Sequence, residues 1–230
     1  MVLKGRGTLA HIPLFRALDA ETIRRLDARC GWRRVGAKAW LIEYGEVETD
    51  VFFIVSGSAR VLIRTHPERE VILHDIPAGG FFGEMSAIDG QQRFAGVLAL
   101  SDLIIACMPV MVFREVLRDH FEVSEQLLHL LATRVRALSR RVHEFSTLQV
   151  KHRLCAELLR LSRFDPNHQQ RGLVSPPPAH AELAARVSTR REMVTRELKA
   201  LERAGLLVRQ PDAIVITDVP ALSAMVESEL

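Results

Sequence analysis

Arg191, Glu192, Thr195, Arg196 and Lys199 recur at the spacing that gathers side chains on one face of an α-helix, and Thr189 just before them is a further candidate contact. Their chemistry is that of base and phosphate recognition. A guanidinium can donate two hydrogen bonds to guanine O6 and N7, a carboxylate can accept from cytosine N4, and an ammonium or a hydroxyl can hold a phosphate. A second group lies upstream. Gly83, Glu84, Met85 and Ser86, followed by Arg93 and Phe94, place a short helix start and an arginine within a few residues. Free backbone N–H groups at such a start, with a bidentate arginine beside them, suit a bound anion. Glu84 is suited to accept hydrogen bonds from a sugar hydroxyl.

Other chemistry is harder to assemble. No nucleophile and base sit in a recognisable motif, and neither a Walker A loop nor an HExxH helix occurs, so the chain is expected not to be an enzyme. Cys30, Cys107 and Cys155 are far apart and lack CxxC spacing, which argues against an iron–sulfur cluster or a zinc site and leaves their redox role open. His66 and His74 are available to a haem, yet lone histidines on strands or turns more often face solvent or pack, so no metal or haem is expected.

The elements that would position the first group can be read from periodicity. Val194, Leu198 and Leu201 give a helix over about 190–204 its buried stripe, Thr189 to Glu192 has capping-box spacing, and Gly205 suits the residue just past the helix end. Glu182 to Ala185 form a shorter helix before it, joined through a tight turn at Val187 and Ser188. Leu206–Arg209, a turn at 210–213 and Ile214–Ile216 read as a β-hairpin wing. If Glu192 and Arg196 were only an i,i+4 surface pair, this face would be ordinary; the flanking helix, turn and hairpin favour DNA reading instead.

Further back, Leu128, Leu131, Val135, Leu138, Val142 and Phe145 alternate spacings of three and four, the a/d seam of a coiled coil, and the other faces carry Arg134, Arg136, Arg140 and Arg141. An identical helix across a two-fold axis explains so narrow a stripe, making a homodimer the expected state. Gln149 interrupts the seam and marks a hinge, and a helix over about 151–163 follows. Before the seam, short apolar runs near 39–42, 51–55, 59–63, 71–73, 95–100 and 103–106, punctuated by glycines, describe a small all-β roll. A helix over about 13–29, with Asp19 as a candidate cap, precedes it. The fold class is therefore α+β: a β-roll sensor (1–118), a dimerisation helix (119–148) and a winged helix-turn-helix (149–230). With 230 residues, 48% of them hydrophobic, two packed units are well within reach, and the net charge of +3 allows a polyanionic partner without requiring one. No secretory signal or bilayer-length apolar run is evident, which points to a cytoplasmic protein without membrane contact.

Two stretches, Phe82-Gly83-Glu84-Met85-Ser86 through Arg93 and Arg191-Glu192-Met193-Val194-Thr195-Arg196, resemble the CRP/FNR family of bacterial transcription regulators, and the likeness runs from about Pro13 to Ile216. The resemblance implies that Arg191 and Arg196 contact guanines and Glu192 a cytosine, in TGTGA-like half-sites arranged as an inverted repeat. It also implies RNA polymerase as a further partner. The stretch from Gly80 to Ala95 resembles the family's phosphate-binding cassette, in which the glutamate meets a ribose and the arginine a phosphate. Two positions depart from that pattern. Phe94 stands where a serine or threonine usually touches the phosphate and would crowd the site, and Leu138-Ser139 stands where a Thr-Ser pair meets adenine. A cyclic nucleotide, another effector, or a vestigial pocket in a constitutive DNA binder all stay open; a nucleotide-sensing subunit of an enzyme is a remote alternative.

Overall fold

The computed structural model describes residues 7–66, 69–165, 168 and 170–228, with the side chains of Thr65, His66 and Arg69 outside that description. The chain divides into two compact units, Met1–Thr133 and Arg134–Leu230.

In the first unit, the helix expected from Pro13 begins later. Two 3₁₀ turns, Leu9–His11 and Pro13–Phe15, come first, and α1 runs Ala20–Arg29. Asp19 sets that start: its Oδ1 accepts from the backbone N–H groups of Glu21 and Thr22, both at 2.8 Å, supplying orphan donors of the first turn. The roll follows as β1 (Gly31–Val35), β2 (Trp40–Ile42), β3 (Val51–Ser56), β4 (Ser58–His66), β5 (Arg69–Pro77), β6 (Phe81–Phe82), α2 (Glu84–Asp89), β7 (Gly96–Ala99) and β8 (Leu103–Met108). The strands form two antiparallel sheets, β1-β8-β3-β6 and β2-β7-β4-β5. Alternation decides which side each residue takes. Phe52, Ile54, Val61, Phe82, Val97 and Ile105 fill one cluster, while Phe53, Phe81 and Ala106 point the other way, to a cluster shared with Phe15, Leu26 and Phe113. The last of these belongs to α3 (Val110–Asp119), and α4 (Phe121–Thr147) begins against the same core through Val123 and Leu127.

The units divide inside α4, whereas the boundaries expected from the sequence lie close to helix ends, at Asp119 and Thr147. After a break at Gln149, whose backbone is extended, the second unit continues with α5 (Val150–Leu161) and β9 (Arg163–Phe164). The helix read as reaching residue 163 thus stops earlier and gives way to a strand. Then come β10 (Gly172–Val174), α6 (His180–Arg186), α7 (Arg191–Arg203), β11 (Leu207–Arg209), β12 (Ile214–Ile216) and α8 (Val219–Glu227). The wing hairpin β11–β12 forms as expected, but β10 and β9 extend it to a four-stranded sheet. Val194, Leu198 and Leu201 of α7 are fully buried with Leu154, Leu158, Leu183 and Ile216, each contributing roughly 1.5–3 kcal/mol through burial.

Candidate nucleic-acid interface and effector site

α6 and α7 meet through a turn that the backbone closes tightly. Val187 N–H bonds to Leu183 O and Thr189 N–H to Ala184 O, both at 3.0 Å, and Ser188 takes a left-handed φ of 50°. The capping box expected from Thr189 to Glu192 does not form. Arg190 occupies the N-cap with no side-chain hydrogen bond, because the turn consumes Thr189 in its bond back to α6. At the other end Gly205, with φ 72°, follows the Ala204 cap as expected.

Burying Val194, Leu198 and Leu201 rotates the polar face outward. Arg191, Glu192, Arg196 and Lys199 are exposed there. Glu192 does not pair with Arg196; that guanidinium instead holds Glu197 through Nε (3.1 Å) and Nη2 (2.9 Å). Among the described residues, neither the Arg191 nor the Glu192 side chain has a hydrogen-bond or ion-pair partner, and both lie in the first turn of α7, where the dipole and open N–H groups also favour phosphate. Thr195 is half-buried: its hydroxyl donates to Arg191 O at 3.0 Å and contacts His180 Nδ1 at 2.7 Å. His180 opens α6 and went unnoticed in the sequence, as did Arg209 on the wing, which pairs with Glu202 at 2.6 Å.

The turn is held from behind by arginines. Arg153 Nε donates to Val187 O at 3.2 Å and its Nη1 to Leu148 O at 2.8 Å, while Arg141 Nη2 donates to Arg186 O. Both guanidiniums stack on Phe145, 5.6 and 5.5 Å from its ring centre. Phe145 is therefore partly covered by its own chain. Leu131, another seam position, packs partly on the first unit's core. Leu128, Val135, Leu138 and Val142 remain exposed along α4, the last three by 61%, 53% and 64%. Around Gln149 the break is bridged, since Arg160 of α5 binds Glu144 of α4 at 2.8 and 3.0 Å.

In the first unit Gly83, with φ 85°, caps α2, and Glu84, Ser86 and Arg93 are buried beside it. A Cβ on Gly83 would lie 2.7 Å from Arg93 Nη1 and 2.8 Å from Asp50 O, so only glycine fits. Arg93 donates Nη1 to Gly83 O (2.7 Å) and Nη2 to Asp50 O (2.6 Å), and its buried Nε has no partner. Burial pulls its pKa down from the ordinary arginine value, opposed by Glu46, Asp50, Glu48 and Glu84. Met85 is 44% exposed. Phe94, expected from the sequence to crowd the site, is 48% exposed, while Arg93 before it is buried. Leu138 and Ser139 belong to the second unit, and Ser139 Oγ donates to Val135 O of its own helix at 2.9 Å.

Cys30 is half-buried and Cys107 and Cys155 are buried. The described residues contain no cluster of three or more His, Cys, Asp or Glu able to hold a metal, and no helix long and apolar enough to cross a membrane. His74 is exposed on β5; the His66 side chain lies outside the described residues.

Two family models match the chain: a cyclic nucleotide-binding domain over residues 32–120 and a Crp-like helix-turn-helix domain over residues 152–225. Among curated proteins it is 32% identical over 209 residues to the cAMP-activated global transcriptional regulator Vfr of Pseudomonas aeruginosa, covering 86% of this chain and 92% of Vfr. Among solved structures it is similar to the c-di-GMP responsive global regulator CLP of Xanthomonas campestris, with a TM-score of 0.71, 25% identity, and coverage of 86% of this chain and 99% of CLP. A CooA mutant from Carboxydothermus hydrogenoformans superposes with a TM-score of 0.79 over 98% of each chain at 17% identity, a likeness of fold alone. The curated relatives are transcription regulators, not enzymes.

Proposed function

Because the chain belongs to the CRP/FNR family of DNA-binding transcription regulators, we propose that it acts as a homodimer, reads an inverted repeat through α7 and is gated by a small phosphate-bearing effector held in the β-roll. The observation that carries the DNA reading is the unpaired state of Arg191 and Glu192 in the first turn of α7, on a helix whose other face is locked by three fully buried side chains. The i,i+4 pairing of Glu192 with Arg196 that would tie this face to itself is not made, since Arg196 holds Glu197. In the groove Arg191 would donate to guanine and Glu192 would accept from cytosine. Arg196 would leave Glu197 for a second guanine, and Lys199 would meet phosphate. TGTGA-like half-sites and contact with RNA polymerase are carried by the family likeness.

The exposed stripe of Leu128, Val135, Leu138 and Val142 supports the dimer, since a second α4 would cover it. Two such subunits present two recognition helices, which an inverted repeat matches. The buried, unpartnered Arg93 Nε supports an anionic effector, because a guanidinium donor shut away from water calls for an acceptor. A cyclic nucleotide fits the matched domain and the name of the relative Vfr. A DNA-binding regulator of this family would work in the cytoplasm, where its DNA lies.

A second reading also has an observation behind it. Both Nη atoms of Arg93 are already engaged on Gly83 O and Asp50 O, and Phe94 offers no hydroxyl. On that reading the pocket is vestigial and the protein binds DNA without a small ligand. Selection of bound duplexes from a random pool, with and without cyclic AMP, cyclic GMP or cyclic di-GMP, tests both. Recovery of an inverted repeat supports the regulator, and a requirement for one nucleotide supports gating. Recovery without preference contradicts the DNA reading.

A further inference from the structure

His180 and Thr195 bring the two helices of the DNA-facing unit into direct contact, 2.7 Å from Nδ1 to Oγ1. The threonine hydroxyl has one proton, and it goes to Arg191 O at 3.0 Å. With the proton so placed the hydroxyl accepts from His180, which assigns the imidazole proton to Nδ1. Nε2 is left as a bare lone pair in the neutral ring and as a second N–H donor in the charged one. The charged groups facing the ring are both cationic: Arg191 from α7 and Arg209 from the wing strand β11, the latter paired with Glu202. No carboxylate hydrogen-bonds to His180 among the described residues. Three potential cations, from α6, α7 and β11, thus lie within electrostatic reach of one another.

We propose that His180 takes up a proton when this face closes on a DNA phosphate, making it a pH-dependent contact of the recognition surface. The inference rests on the DNA reading above and assigns that surface a regulation of its own. In the free protein, burial first and then Arg209 and Arg191 lower the histidine below its ordinary pKa, so the neutral ring is preferred. That preference contributes stability that is fully present above the unfolded value of roughly 6.5 and is lost as pH falls from there through the lower value of the folded protein. A phosphate placed among the three groups reverses the sign: it offsets both arginines and accepts from Nε2–H, so the charged ring becomes the preferred one. Binding then takes up protons, and affinity for DNA increases as pH falls. A dimer carries two such sites.

The test is fluorescence anisotropy of the full-length protein on a labelled TGTGA-type palindrome between about pH 6 and about pH 8 at constant ionic strength, the range in which histidine titrates. Wild type is expected to bind more tightly at the acid end, by a few-fold per subunit, toward a limit of roughly tenfold for each pKa unit that the phosphate restores. His180→Gln keeps a donor for Thr195 but cannot charge, and should give a flat profile at the weaker level. His180→Lys carries a permanent charge, and should give a flat profile at the tighter level. A His180→Gln profile as steep as wild type, or a flat wild-type profile, overturns the proposal while leaving sequence-specific binding intact. No preference for the palindrome over a scrambled duplex at any pH overturns instead the DNA reading on which it rests.

Discussion

Arg186 Nη1 lies 3.4 Å from Glu157 Oε1, with both side chains almost wholly buried. The pair joins α5 to the helix that opens the helix-turn-helix. Glu157 also receives Arg160 Nε at 3.0 Å and faces Arg141 Nη1 at 3.6 Å, while Arg186 reaches Glu182 at 3.0 Å. Charges on α4, α5 and α6 therefore satisfy one another in a low-dielectric setting, where an unmatched one is costly. Glu157→Ala would remove a buried carboxylate shared by three guanidiniums, of which Arg160 keeps Glu144 and Arg186 keeps Glu182, and should destabilise the fold by about 2–4 kcal/mol. Chemical denaturation checks this, and a loss below about 1 kcal/mol, the ordinary value of an exposed pair, would show that the network is not a structural anchor.

The exposed stripe on α4 gives a separable prediction. Val135→Asp and Val142→Asp place charge where the single chain buries nothing, so thermal stability at low protein concentration should hardly change. In a two-fold seam the same charges meet their own copies, and sedimentation should show monomer. Dimers that persist in the double variant would contradict the assignment of this face.

At the effector site, Gly83→Ala places a Cβ against Arg93 Nη1 and the Asp50 carbonyl at a positive φ. Strain of this kind costs of order 1–3 kcal/mol and displaces the guanidinium. A wild-type thermal shift with a cyclic nucleotide should therefore disappear in this variant, while Phe94→Ser, which replaces a half-exposed ring by the hydroxyl the family usually has there, should enlarge the shift. A wild type unmoved by every nucleotide tried favours the constitutive reading. At a hundred times its Kd, a bound ligand adds roughly 2.7 kcal/mol.

What the sequence disclosed and what it hid divide along the range of the interactions involved. The buried stripe of α7, the Gly205 terminus, the strand alternation and the wing hairpin are local patterns, set by side-chain spacing within a few residues, and they can be read directly. The failures are long-range or competitive. Thr189 has capping spacing, but its backbone is claimed by Ala184, so Arg190 takes the cap. Phe145 has seam spacing, and that spacing says nothing of Arg141 and Arg153 stacking on it from the same chain. Asp50 supplies a carbonyl to Arg93 from far along the chain, and His180 finds Thr195 across the turn; no spacing rule announces either.

The cysteines should be chemically quiet in the folded protein. Burial first, with nearby carboxylates adding to it, pushes the Cys30 and Cys107 thiols up to about 12; burial pushes Cys155 up to about 11. Cys107 also directs its thiol to Asp50 Oδ2 at 3.3 Å, which favours the protonated form. Since the thiolate is the reactive species, alkylation by iodoacetamide near pH 8 should be slow for all three and become fast only on unfolding. Rapid labelling of one of them in the native protein would single it out as a redox candidate.

On the proposed function, α7 reads DNA sequence through Arg191 and Glu192. Equilibrium binding to a TGTGA-type palindrome and to a scrambled duplex of equal length, measured across a range of salt with any required effector present, tests it most directly. Expected are a preference on the order of a thousandfold or more, affinity that falls steeply with salt, and a loss of about 1–3 kcal/mol with relaxed choice at one symmetric base position in Arg191→Ala. Equal affinity for the two duplexes, or an Arg191→Ala variant that keeps the full preference, would contradict it.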